Sequence, residues 1–238
     1  MDVWAALKLD MEVHRLVALT GAGGKTSTLY ALARAGVDAG KKVVVTTTTH
    51  ILPHPGLPLA GSPAEARALL EGCPAVTLGR FDRPDKLSGG GDPAACLAFA
   101  HLVLTEADGA RLHPLKAPAD HEPVIPPQAD AVVAAAGLDC LGRPVGEVCH
   151  RPERVCALLG VGMDHALTPA DVAAVLSHPQ GGRKGVGAGM AFRCLLNKAD
   201  TPERAALGRE IQSILAQKGI VSAVTHYTER ERGGLCLF

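Results

Sequence analysis

Short apolar runs rich in valine, leucine and alanine recur along the chain, separated by longer stretches in which alanine and leucine return at helical spacing. Apolar runs of about four to eight residues suit strands buried on both faces, and their alternation with helices predicts a mostly parallel sheet. The pattern places strands at His14–Thr20, Lys42–Thr48, Ala75–Leu78, His101–Ala107, Asp130–Ala136, Phe192–Asn197 and Val221–Val224. Helices are expected at Lys25–Ala39, stopped by Gly40, and at Pro63–Leu70, Pro169–Ser177 and Pro202–Lys218. Two stretches read as loops: Ser88-Gly89-Gly90-Gly91, and the run from Pro114 through Pro127, where recurring prolines forbid a continuous helix. The expected architecture is α/β, with helices on both faces of the sheet. One domain over residues 1–238 is expected, with an irregular excursion around 110–128.

Candidate chemistry begins where the first strand ends. Leu16-Val17-Ala18-Leu19-Thr20 runs into Gly21-Ala22-Gly23-Gly24-Lys25-Thr26-Ser27 and then an alanine-rich helix. A glycine loop between a buried strand and a helix N-terminus is the setting of a phosphate loop. Glycines let backbone N–H groups converge, the helix end adds positive potential, the lysine reaches the β/γ-phosphates and the threonine ligates magnesium. Leu19 stands where the longer GxxxxGK[ST] pattern has its first glycine, and the shorter GxxGKT form resembles the loop of the Mur ligases. The fold expected is therefore P-loop NTPase-like.

Further along, Leu102-Val103-Leu104 leads into Thr105-Glu106-Ala107-Asp108-Gly109, which puts two carboxylates at a strand end, where open α/β sheets bind ligands. Magnesium on a nucleotide wants one or two carboxylates plus water. Asp108 is expected as the ligand, with Glu106 as second ligand or base, or the two reversed. Thr46-Thr47-Thr48-Thr49-His50 emerges at the same sheet edge, either as good strand residues or as contacts to phosphate, metal or substrate. Arg111 and Lys116 follow the acidic strand and are candidates to neutralise charge during phosphoryl transfer. The segments His121-Glu122-Pro123, His150-Arg151-Pro152-Glu153 and Arg183-Lys184 are read as loops, either offering a substrate surface or simply carrying solvated charge. A second nucleotide signal is Asn197-Lys198-Ala199-Asp200, an NKxD pattern after an apolar strand; the same residues also suit a helix cap before Pro202.

Charge and cysteine usage narrow the partners. Lysine plus arginine balances aspartate plus glutamate at 24 each, so no net field holds nucleic acid or an anionic membrane. No apolar run approaches the roughly 20 residues needed to span a bilayer, and the first ten residues lack the pattern of an export signal. Seven scattered cysteines, an odd number without CxxC pairs, argue for reduced thiols and a cytoplasmic setting. The spacing of Cys140, Cys149, His150 and Cys156 matches no common zinc pattern.

Several ordered segments together resemble a family. LTGAGGKTS, KKVVVTTTTHI, TEADGARLHPLKAPADHEPVIP, AAAGLDCLGRP, HRPE and LLNKAD, from about Leu19 to Asp200, are similar to the YqeC-type accessory proteins of selenium-dependent molybdenum hydroxylases. That resemblance implies a nucleotide-dependent part in making or inserting a selenium-containing cofactor, with a molybdenum hydroxylase or its cofactor-assembly proteins as partners. The arrangement also looks like the GTPase metallochaperones that serve hydrogenase and urease. The expected ligands are Mg2+ with GTP or ATP. Two other functions stay open: a small-molecule kinase or ATP-dependent ligase, and a nucleotide-switched chaperone without significant turnover.

Overall fold

A computed structural model describes residues 2–227, so Cys236 lies outside the described residues. The chain opens with α1 (Val3–Ala6), β1 (Leu16–Gly21), α2 (Lys25–Asp38) and β2 (Val43–Thr47). Next come β3 (His50–Ile51), β4 (Leu59–Ala60), α3 (Pro63–Leu69), β5 (Ala75–Leu78), β6 (Arg80–Arg83) and β7 (Lys86–Ser88). A 3-10 segment (Pro93–Ala98) precedes β8 (Leu102–Glu106), β9 (Leu115–Lys116) and β10 (Ala131–Gly137). The last part holds α4 (Val145–Val148), β11 (Cys149–His150), α5 (Pro152–Leu159), α6 (Pro169–Ser177), β12 (Ala191–Asn197), α7 (Pro202–Gln217) and β13 (Val221–Val224).

Eight strands form one parallel sheet in the order β13-β12-β10-β1-β8-β2-β5-β4. Its strands alternate between two apolar layers. Leu16 and Ala18 of β1 join Val132 and Ala134 of β10 on the face covered by α3, α6 and α7. Val17 and Leu19 join Val133 and Ala135 on the face covered by α1 and α2. Two buried faces explain why these strands read as continuous apolar runs. Trp4 fastens α1 to α2, its indole Nε1–H donating to Leu32 O at 3.0 Å.

Helix starts follow the sequence closely, because α3, α5, α6 and α7 each begin with proline, where the missing N–H costs nothing. Ser62, Thr168 and Thr201 cap three of them. Two expectations are corrected. His150-Arg151-Pro152-Glu153 is the end of β11 and the first turn of α5, not a loop. The run from Pro114 to Pro127 contains β9, which pairs in parallel with β11. Among the described residues no helix is long and apolar enough to cross a membrane.

The sheet order sets the location of the site. From β1 the chain moves outward on one side through β2, β4 and β5, and after returning to β8 it crosses to β10 on the other side. The strand ends around β1 therefore form a switch point, the crevice in which open parallel sheets place ligands.

Candidate phosphate and metal site

The loop between β1 and α2 is made possible by its glycines. Gly23 and Gly24 have φ of 73° and 122°, conformations that L side chains rarely adopt. A Cβ on Gly23 would lie 2.1 Å from Gly137 N, and one on Gly24 2.0 Å from Asn197 Nδ2. Space and conformation both demand glycine here.

Three amides of the loop are used internally. Gly21 N–H donates to Asp108 Oδ2 at 3.0 Å, Ala22 N–H to Ala135 O at 2.8 Å and Gly23 N–H to His113 O at 3.2 Å. The first turn of α2 has no side-chain cap, because its N-cap is Gly24. Its amides and the positive helix end are the part of the loop suited to an anion.

Lys25 is buried at the start of α2. Its Nζ donates to Gly21 O at 2.7 Å and lies 3.2 Å from Asp108 Oδ1 and 3.5 Å from Glu106 Oε1. Burial works against the ammonium, yet Asp108 and Glu106 outweigh it and hold the Lys25 pKa above its ordinary value. The lysine is a fixed positive charge.

The two carboxylates have different partners. Glu106, the last residue of β8, accepts from Thr26 Oγ1 at 2.9 Å through Oε2. Burial raises its pKa, against the opposing influence of Lys25 and Thr26. Asp108 is occupied by protein: its Oδ2 takes Gly21 N–H and Lys116 Nζ, both at 3.0 Å, and its Oδ1 faces Lys25 Nζ at 3.2 Å. Glu106 and Thr26, the hydroxyl and carboxylate suited to magnesium, both line the cavity, whereas Asp108 braces the loop from below.

Lys116 lies under the site. Its side chain is 1% exposed and donates to Gly109 O at 2.6 Å and Glu122 Oε2 at 2.9 Å, besides pairing with Asp108. Glu122 in turn takes both ends of the Arg151 guanidinium, at 2.7 and 3.3 Å. Burial works to raise the Glu122 carboxyl, but Lys116 and Arg151 together hold it down to about 2. This chain of charges, Asp108–Lys116–Glu122–Arg151, was not visible in the sequence. The sequence offers each of the four as candidate chemistry in its own segment but nothing that links them to one another.

The threonine run divides by depth. Thr46 and Thr47 are buried and donate to Leu78 O and Glu106 O, tying neighbouring strands together. Thr48, Thr49 and His50 reach the cavity wall.

The NKxD segment also divides. Asn197 Nδ2 donates to Gly23 O at 3.0 Å, and its Oδ1 accepts from Thr225 Oγ1 at 3.2 Å, so the asparagine braces the phosphate loop. Lys198, with a left-handed φ of 65°, lines the cavity and pairs with Asp139 Oδ2 at 2.6 Å. Asp200 lies 3.7 Å from Arg204 Nη1, at the start of α7.

Gly23–Ser27, Thr48–His50, Glu106, Glu122 and Lys198 line one cavity of about 860 Å3, within the usual range for small-molecule sites. Arg111, His113, His150 and Arg151 also line it.

A family model described as YqeC protein matches residues 17–153. The chain belongs to the YqeC family. It is 31% identical over 229 residues to the uncharacterized protein YqeC of Escherichia coli (strain K12), an overlap of 91% of this chain and 90% of that protein. The stretch matched by the YqeC model holds the phosphate loop, Glu106, Asp108, Lys116, Glu122 and Arg151. The NKxD segment lies beyond it.

Among the described residues no cysteine lines the cavity of this YqeC-family site. Cys140 and Cys149 are buried free thiols, and burial pushes the Cys149 thiol up to about 12. Among the described residues, no group of three or more histidine, cysteine, aspartate or glutamate side chains is arranged to hold a metal.

Proposed function

We propose that the chain binds a magnesium nucleoside triphosphate in this cavity and couples its hydrolysis or phosphoryl transfer to maturation or insertion of the selenium-containing cofactor of molybdenum hydroxylases. The observation that carries the nucleotide part is the hydrogen bond from Thr26 to Glu106, beside Lys25 and at the uncapped start of α2. That hydroxyl and carboxylate would hold a magnesium ion, which would supply charge neutralisation at the phosphates, while Lys25 and the α2 amides would take up the remaining negative charge. Family membership supports the accessory role, and the cytoplasm, where magnesium nucleotides are held, is its setting. Either GTP or ATP is the nucleotide; Lys198 and Asp200 are the residues through which a guanine preference would act, while Asn197 supports binding of either by bracing the loop.

Calorimetric titration with non-hydrolysable GTP and ATP analogues, with and without magnesium, tests this reading. Wild type is expected to bind in a magnesium-dependent manner and Lys25→Ala to lose that binding while still melting cooperatively. A guanine preference lost in Asp200→Ala would assign the base site. Absence of binding to the wild-type protein would overturn the proposal.

A further inference from the structure

Beside the phosphate loop, where Gly23 N–H donates to His113 O, two segments distant in sequence are brought together. The β9–β11 pairing sets Lys116 opposite His150 and so carries Arg111–His113 alongside Cys149–Arg151. The His113 and His150 rings stack there, with centroids 5.9 Å apart and planes 18° from parallel. Burial, with Arg151, Lys116 and Arg111 nearby, lowers the His150 pKa to about 4, so the ring is a neutral donor inside a positive environment.

Backbone conformation singles out the same region. Among the described residues, five non-glycine residues have positive φ: Lys8, Arg111, Leu112, Arg151 and Lys198. Four of these, all but Lys8, line this cavity. Left-handed conformations of bulky residues persist where the surroundings impose them, and they gather at binding sites.

Charge balance supplies a third observation. Lys25 is answered by Asp108 and Glu106, Arg151 by Glu122 and Lys198 by Asp139. Among the described residues Arg111 has no ion pair or hydrogen bond, and its side chain reaches the cavity beside the two imidazoles.

The geometry points to a second oxyanion subsite, formed by Arg111, His113 and His150, that seats the phosphate or carboxylate group of a small anionic acceptor molecule. The Arg111 guanidinium and the ring N–H groups of the two stacked imidazoles suit an oxyanion's lone pairs, and the Arg151 side chain, braced by Glu122, adds positive potential. The subsite lies in the cavity assigned above to the nucleotide, so the inference deepens that reading, but anion binding can be observed without it.

The test uses the full chain with labelled histidines, saturated with magnesium and a β,γ-imido nucleotide, titrated separately with inorganic phosphate and with succinate. The His113 and His150 ring signals are expected to shift saturably with one of the two anions, which identifies the acceptor class. Arg111→Ala, a surface change, is expected to weaken that binding about tenfold or more, the scale of one charge-assisted hydrogen bond. Unmoved rings with both anions would overturn the inference, as would an Arg111→Ala protein that binds like wild type. If the nucleotide analogue alone moves both rings and leaves no response to added anion, the residues belong to the nucleotide site and the inference falls. If the analogue does not bind but phosphate or succinate still moves the rings, the nucleotide reading falls and the anion subsite stands.

Discussion

Thr26 Oγ1 donates to Glu106 Oε2 at 2.9 Å, so the hydroxyl that follows the phosphate-loop lysine is already held by the carboxylate of the adjacent strand. Asp108, two residues on, faces the other way in function, accepting from Gly21 N–H and pairing with Lys25 and Lys116. The two acids should therefore fail differently. Glu106→Gln is expected to weaken the magnesium-dependent part of nucleotide affinity about tenfold to a hundredfold. Asp108→Asn leaves two buried ammonium groups short of a partner and should cost about 3–5 kcal/mol of stability. Parallel calorimetry and denaturant melts check this. Equal losses of affinity and stability in both variants would refute the division of roles.

Asn197 links the base-side segment to the loop through Gly23 O. Its removal leaves that buried carbonyl and the Thr225 hydroxyl without a partner, a cost of about 1–3 kcal/mol. Because the contact is to the loop backbone, Asn197→Ala should weaken GTP and ATP analogues by the same factor, whereas Asp200→Ala should change only their ratio. Titration of both analogues against both variants measures the difference.

Much of this could be read from sequence for a physical reason. Strands of a sheet covered on both faces are mostly apolar, so Ala75–Leu78 and Val221–Val224, each with a single hydroxyl residue, appear in the structure with the boundaries their residues suggest. Helix α6 is equally legible, with Thr168 as cap and Pro169 at its first position. The loop was legible because its residues are contiguous. Helix α5 was missed because it has eight residues and follows Arg151, whose left-handed backbone resembles a loop. The pairing of β9 with β11 spans two residues on each strand and leaves no periodic trace, so neither the burial of Lys116 nor the His113–His150 stack could be inferred. The unequal roles of Glu106 and Asp108 depend on which neighbours the sheet brings to each, information that a strand-end motif does not carry.

The loop glycines give a sharper test than the charged residues. Gly24→Ala must place a Cβ about where Asn197 Nδ2 now sits, at φ 122°. The Asn197 side chain has to move, so its bond to Gly23 O is lost as well. A stability loss of about 2–5 kcal/mol is expected from backbone strain plus the broken contact. Nucleotide affinity should fall too, although no charged group has been changed. Combining Gly24→Ala with Asn197→Ala, which clears the space, should cost less than the sum of the two. Strict additivity in denaturant melts would show that the contact is not the source of the loss.

Acid should unfold the protein in two overlapping steps. His150 has its pKa lowered from an ordinary 6.5 to about 4 by burial and the neighbouring cations. Between those values the unfolded chain binds a proton at this site that the folded chain refuses. The contribution to stability is therefore complete above pH 6.5 and is lost as pH falls toward 4. Glu122, held from an ordinary 4.5 down to about 2 by Lys116 and Arg151, has the same sign in a lower window, complete above 4.5 and lost toward 2. Urea melts across this range should show stability declining first through the His150 window and then through the Glu122 window. His150→Asn should flatten only the upper part. Glu122→Gln should flatten the lower part and lower stability at neutral pH as well, since Lys116 and Arg151 lose a shared counter-charge. An imidazole titration of His150 with a midpoint at the ordinary 6.5 would contradict the placement of that ring among Arg111, Lys116 and Arg151.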